Sequence, residues 1–296
     1  MTKVFLTGSS GFIGKEVLRL CDTRGIEVVG VDAAQPTRPD CFIADIRDPS
    51  IVDVFPHEVD AIIHLAGLSR DADCRDNARA CFEINVMGTL NLIEAAKAKS
   101  AKQFIFASTE WVYDSFERDL EKTENSSIDA SKLDSEYAFS KLTSENNLRQ
   151  KFQHGFCPTT VLRFGIVYGP RAQNWSAVEA ILNSVATQPE LIVGSLRTGR
   201  CFVHVTDIAR GILAAIGCPG YEIVNLQSPQ FVCLEDVITA AKDLTGKSPS
   251  VLEGDAGNPS IRRVSSEKAD RLLGWHPEHD IESGMATVAS FLGLTV

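Results

Sequence analysis

The chain has 296 residues, 44% of them hydrophobic and 23% charged, which suits two compact domains or one large domain with an appendage. A net charge of -10 and a pI near 5.1 argue against nucleic acid and anionic membranes as partners. The eight cysteines are scattered with no CxxC pair, so they read as reduced, buried thiols, and no metal site is expected.

In chain order, the first β-branched run, Val4–Thr7, begins almost at Met1 and leaves no room for a secretory leader. No apolar stretch reaches membrane-spanning length, so a cytoplasmic protein is expected. Further strands are predicted at Val28–Asp32, Cys41–Ala44, Ala61–Ala66, Phe104–Ser108 and Thr160–Phe164. Between them lie helical patterns, notably Ala80–Lys99 and Leu133–Phe152. Near-continuous apolar strands alternating with helices predict an α/β fold, a doubly wound parallel sheet of the Rossmann kind. Asp114–Asp134 is polar and long for a connection, which marks it as a functional segment. After Phe164 the pattern loosens, with helices predicted at Ser176–Thr187, Asp207–Ile216, Leu234–Leu244 and Ile281–Phe291. The expected division is a nucleotide-binding domain over 1–165 and a smaller C-terminal lobe over 166–296, with segments around 200–228 returning to the first domain.

Thr7-Gly8-Ser9-Ser10-Gly11-Phe12-Ile13-Gly14 follows the first strand and opens a helix. Gly8 permits a tight turn, Gly11 a close approach to a pyrophosphate, and Gly14 close helix packing; the helix N-terminus offers free N–H groups to phosphate. Asp32 ends the second strand, where a carboxylate accepts from both ribose hydroxyls and repels a 2′-phosphate. NAD is therefore expected over NADP, with Arg38, six residues on, the residue that bears on that preference.

Tyr137 and Lys141 are four apart on a predicted helix and so share a face. A cation there favours the phenolate, and a phenolate can take a proton from a hydroxyl while hydride leaves its carbon. Ser108 and Thr109 end a predicted strand, where ligands of open parallel sheets gather, and a hydroxyl there can orient the same oxygen.

Together, Gly8–Gly14, Tyr137-x-x-x-Lys141 and Ser108-Thr109 resemble the extended short-chain dehydrogenases/reductases, in particular the NAD-dependent epimerase/dehydratase group, along essentially the whole chain. Other segments fall in family order. Asp45-Ile46-Arg-Asp48 resembles the adenine-contacting segment, His64-Leu65-Ala66-Gly67 the strand motif lining the cofactor, and the Asn85 segment a helix motif that steadies the active site. Val112-Tyr113, Arg163–Pro170, Phe202–Asp207 and Leu273-Gly-Trp275-x-Pro277 follow. The resemblance implies a smaller lobe that binds a nucleotide sugar, and a homodimer through helices around 80–99 and 133–152. It also implies substrate contacts from Arg200 and Arg163, with Arg262 or Arg263 as the substitute for a second clamp; Trp111 and Trp175 read either as flanking the sugar or as core.

The departures carry information too. Family dehydratases have Thr-Asp-Glu, and decarboxylases Thr-Ser-Glu, where this chain has Thr109-Glu110-Trp111. Trp111 thus replaces the second acid, while Glu110 is retained as a candidate for acid–base steps. Ile166 stands for the family Asn, and Asp255-Ala-Gly-Asn258 for Arg-Pro-Gly-Asp. The expected activity is epimerisation of a nucleotide sugar at C4: Tyr137 takes the hydroxyl proton, hydride passes to NAD, and a keto sugar turns over and is reduced on its other face. Rival readings are a sugar dehydrogenase or reductase and a non-catalytic cofactor sensor. His64 and His204 read as satisfied core histidines, and His276 and His279 as surface residues.

Overall fold

Successive strand residues face opposite ways, so a strand apolar throughout needs cover on both faces. The structure, a computed structural model that describes residues 1–113, 116 and 120–294, supplies that cover. Its sheet comprises β1 (Lys3–Thr7), β2 (Glu27–Asp32), β3 (Cys41–Ile43), β4 (Ala61–His64), β5 (Phe104–Thr109), β6 (Thr159–Phe164) and β7 (Tyr221–Leu226). All neighbours run parallel, in the order β7-β6-β5-β4-β1-β2-β3. The order turns over at β1, which pairs with β2 on one side and β4 on the other, opening a crevice beyond the strands' carboxyl ends.

The helices that position the site are α1 (Phe12–Arg24), α2 (Gly88–Ala98), α3 (Glu136–Gln153), α4 (Ala177–Thr187), α5 (Val205–Ala214), α6 (Leu234–Thr245) and α7 (Ile281–Leu292). Val4, Leu6, Ile63 and Ile105 enter a core closed by Val17, Leu18 and Cys21 of α1 and by Ile208 and Ile212 of α5. Phe5, Ile62, Phe104 and Phe106 enter the opposite core, closed by Leu92 and Ile93 of α2 and Leu148 of α3. Val178 and Leu182 of α4, Val237 of α6 and Met285 and Val288 of α7 form a third core, that of the lobe.

Two helix predictions change in detail. The run expected over Ala80–Lys99 contains a π turn at Glu83–Met87, between helical Ala78–Phe82 and α2. The helix expected from Leu133 starts at Glu136, because the Ser135 hydroxyl accepts the Ala138 N–H and caps it. Of the 114–134 segment, residues 114, 115 and 117–119 lie outside the described residues. Within the rest, Glu121–Lys122 pairs with Arg263–Val264 and ties this connection to the lobe.

The chain leaves the sheet after β6 and returns to it at β7, which pairs with β6 from Tyr221↔Thr159 to Leu226↔Phe164. Trp275 also enters the sheet's first core and donates its indole N–H to the Asp207 carbonyl, 2.8 Å. The fully buried Asp207 carboxylate accepts from the Glu278 and His279 N–H groups, the His279 ring and Arg210. His279, expected at the surface, is therefore half-buried and stacked on His204 with centroids 4.2 Å apart. His204, Asp207 and His279 bring candidate ligand atoms within 4.8 Å of one another. His204, however, already bonds the Thr287 hydroxyl and the Thr206 N–H, so the trio reads as a satisfied strap. No helix among the described residues is long and apolar enough to cross a membrane.

Candidate active site

Gly8 turns the chain out of β1 with φ of +75°, and a Cβ there would stand 2.8 Å from the Ala66 nitrogen. The loops after β1 and β4 therefore touch. A Cβ on Gly14 would come within 2.1 Å of the Gly8 carbonyl oxygen, so only glycine lets α1 start against this turn. No side chain caps α1 at Gly11, which leaves the first-turn N–H groups, including Phe12 and Ile13, for an outside anion. Asp32 holds the turn by accepting the Ser10 and Ala34 N–H groups, each at 2.9 Å, and stays half-exposed at the end of β2. Arg38 is engaged by Asp22 and Asp40, so Asp32 dominates the local charge.

The wall continues through Leu65, whose N–H meets the Thr7 carbonyl, and Ala66, whose N–H meets the Thr7 hydroxyl. Asn85 braces the stretch after Gly67 from the π turn: its Oδ1 accepts the Leu68 N–H, and its Nδ2 donates to the Leu68 carbonyl and the Ser140 hydroxyl. Ile46 is buried, and its carbonyl accepts from Asn91; Asp45 is paired with Arg47. A cradle that a Cβ would fill, an uncapped helix start and an acid at the end of β2 fit NAD.

Tyr137 and Lys141 lie one turn apart on α3, 8% and 4% exposed. The Lys141 ammonium donates to the Ala107 carbonyl at 2.9 Å and lies 4.9 Å over the Phe106 ring. Burial pulls its pKa down to about 8. The expectation that Lys141 lowers the Tyr137 pKa is corrected for the chain alone. Burial pushes this phenol up to about 12, with the Thr109 hydroxyl acting in the opposite sense.

Ser108 and Thr109 part company, as adjacent strand residues must. Thr109 lies by the phenol, whereas the Ser108 hydroxyl donates to buried Glu145 at 2.5 Å. Arg163 pairs with the same Glu145 through two bonds, 2.6 and 3.0 Å, with both side chains 3% exposed. Ser108 and Arg163, expected against substrate, are thus interior partners of Glu145. Glu145 went unmarked in the sequence; its signal was a carboxylate four residues beyond Lys141 on the same helix face.

Beyond Thr109, Glu110 opens a short 3₁₀ turn (Glu110–Val112) and is fully buried. Trp111 packs by Tyr137, Cys74 and Cys81 on one side, while the Arg262 guanidinium lies 4.6 Å over its ring. Arg200 donates to the Gly199 carbonyl and to both the carbonyl and the hydroxyl of Ser260. Burial and neighbouring Arg262 bring its pKa down to about 10. Arg263 is committed elsewhere, 3.7 Å over the Phe231 ring. Gln227, just past β7, is buried beside Glu110, and no motif had singled it out.

A model of the NAD dependent epimerase/dehydratase family matches residues 4–226. The chain belongs to this family. It is 28% identical, over 98% of both chains, to the uncharacterized UDP-glucose epimerase YtcB of Bacillus subtilis (strain 168). It is 24% identical to UDP-glucuronic acid decarboxylase 1 of Arabidopsis thaliana, over 97% of this chain and 69% of that one. Among solved structures, the UDP-glucose 4-epimerase of Thermus thermophilus in complex with NAD has a TM-score of 0.85 at 24% identity, covering 99% of both chains. As an epimerase/dehydratase family enzyme the chain uses NAD, and the Gly8–Gly14 turn with Asp32 is the part of it that fits that cofactor.

Proposed function

We propose that the chain is a C4 epimerase of a nucleotide-linked sugar, with UDP-sugars the first class to test. One observation carries this reading: Thr109, Tyr137 and Lys141 lie together, and Arg200 and Arg262 converge on the adjoining Glu110–Trp111 turn. Bound NAD supplies the hydride acceptor and donor at the sugar carbon. Tyr137 takes the C4 hydroxyl proton and later returns it, and Thr109 orients the sugar oxygen. The Thr109 hydroxyl eases formation of the phenolate against the effect of burial, and the Lys141 ammonium holds the nicotinamide ribose. Trp111 walls the sugar, and Arg200 and Arg262 hold the diphosphate. A keto sugar that presents its other face before the proton returns completes the epimerisation with no net oxidation.

Trp111 supports epimerisation over decarboxylation or 4,6-dehydration, since an indole replaces the acid of Thr-Ser-Glu or Thr-Asp-Glu and cannot act as a base. A homodimer goes with this reading: Met87 and Phe139, on the two helices involved, are 52% and 44% exposed, and Phe82 packs on Phe139. Eight free thiols suit a reducing, cytoplasmic setting.

Incubation with UDP-glucose is expected to yield its C4 epimer with no stoichiometric NADH. Tyr137→Phe should lower turnover about a hundredfold or more with NAD binding retained. Normal turnover in that variant, or carbon dioxide release from UDP-glucuronate in place of an epimer, would overturn the reading.

A further inference from the structure

We infer that Glu110 is the resident counter-charge of Arg200 and Arg262, and that it takes up one proton when the anionic end of the substrate binds those arginines. This rests on the reading above, in which the two arginines hold a diphosphate.

Glu110 is 0% exposed, and neither carboxylate oxygen has a hydrogen-bond partner among the described residues. Both polar atoms of the buried Gln227 carboxamide and Nη1 of Arg262 are in the same position. So many unpartnered polar atoms in one place mark a site shaped for a polar ligand. The charged or titratable groups facing Glu110 are Arg200 of the Gly199–Arg200 strand, the adjoining Cys201 thiol, and Arg262 ahead of the Arg263–Val264 strand. Gln227, Thr109 and Trp111 around it are uncharged.

A buried carboxylate whose oxygens lack well-formed hydrogen bonds depends chiefly on nearby cations to keep its charge. Burial already holds Glu110 above its ordinary value, while the Arg262 and Arg200 guanidiniums and, less strongly, the Gln227 carboxamide act against it. A diphosphate on those guanidiniums cancels their attraction for Glu110 and adds repulsion of its own. The carboxylate then takes a proton from solvent, forming one O–H bond with no bond broken elsewhere in the protein. The new O–H has the Gln227 carboxamide beside it as an acceptor. By linkage, binding weakens as pH rises, up to tenfold per pH unit, between the protonation midpoints of Glu110 in the free and bound states.

The test is calorimetric titration of UDP-glucose into the NAD-loaded protein across about pH 5 to 9, in paired buffers of different ionisation heat. The diester diphosphate of UDP-glucose has no ionisation of its own in that range. Uptake approaching one proton per site is expected in the unaltered protein. Glu110→Gln should abolish the uptake, flatten the pH dependence and bind about tenfold tighter at the alkaline end. Binding by the unaltered protein with no uptake at any pH overturns the inference alone, whatever the variant's folding. Equal uptake in the two proteins overturns it as well. Absence of any UDP-glucose binding overturns the functional reading and this inference with it.

Discussion

Lys141, proposed above to hold the cofactor, illustrates how a buried ammonium opposes the fold that carries it. Its ammonium is 4% exposed with a single hydrogen bond among the described residues, and its pKa falls from 10.5 to about 8. The unfolded chain holds that proton up to its own, higher value. Between the two values the unfolded state binds more protons, so stability rises with pH there. Below about 8 the penalty is complete, on the order of 3 kcal/mol. Lys141→Met is thus expected to raise the thermal midpoint at pH 7, to lose that advantage above the unfolded lysine's pKa, and to abolish turnover. A lower midpoint at pH 7 would refute the assignment. The buried Glu145–Arg163 pair behaves oppositely. Glu145→Ala strands a buried guanidinium and should cost about 3–5 kcal/mol in denaturant titrations. Replacing both partners with apolar residues should recover most of that loss, and failure to recover it would point to a further role for the pair.

Elements with a clear period could be read directly from the chain. In β1 and β5 every apolar residue found a core on its own side, and the lobe helices start and stop within two residues of their expected bounds. The π turn at Glu83–Met87 was not legible, because an added backbone step leaves the apolar pattern of the helix almost unchanged. Nor could a strand end tell which of Ser108 and Thr109 faces the crevice, since one residue of register exchanges them. Gln227 carried no motif and is recognised only once β7 joins the sheet. The phosphate turn was legible because its glycines answer to sterics. Gly14→Ala, whose Cβ would meet the Gly8 carbonyl oxygen at 2.1 Å, should displace the turn, cost about 1–3 kcal/mol and weaken NAD binding severalfold or more. Gly25→Ala, with nothing within 4 Å of its Cβ but φ of +64°, should cost about 1–2 kcal/mol through backbone strain alone and leave NAD binding unchanged. Equal NAD affinity in the two variants would contradict the account.

At the scale of the whole molecule, two buried histidines contribute an acid sensitivity that sets in above the carboxylate range. Burial lowers His64 well below its ordinary value and His204 to about 4. Unfolded histidine titrates near 6.5. As pH falls from there toward 4, the unfolded state binds more protons and stability drops, by about 3 kcal/mol for His204 alone. Melting midpoints should therefore decline from just below neutrality, ahead of carboxylate titration, and His204→Asn should soften that slope. A flat profile down to pH 5 would contradict it.

Because β7 comes from residues 221–226 and Trp275 seals the face under α5, the nucleotide-binding half is assembled from most of the chain's length. A nascent chain on the ribosome carries β6 with one edge bare until β7 emerges, and α5 stays unsealed until Trp275 has followed. A gene fragment ending near residue 165 would encode an aggregation-prone open sheet rather than a miniature dinucleotide binder.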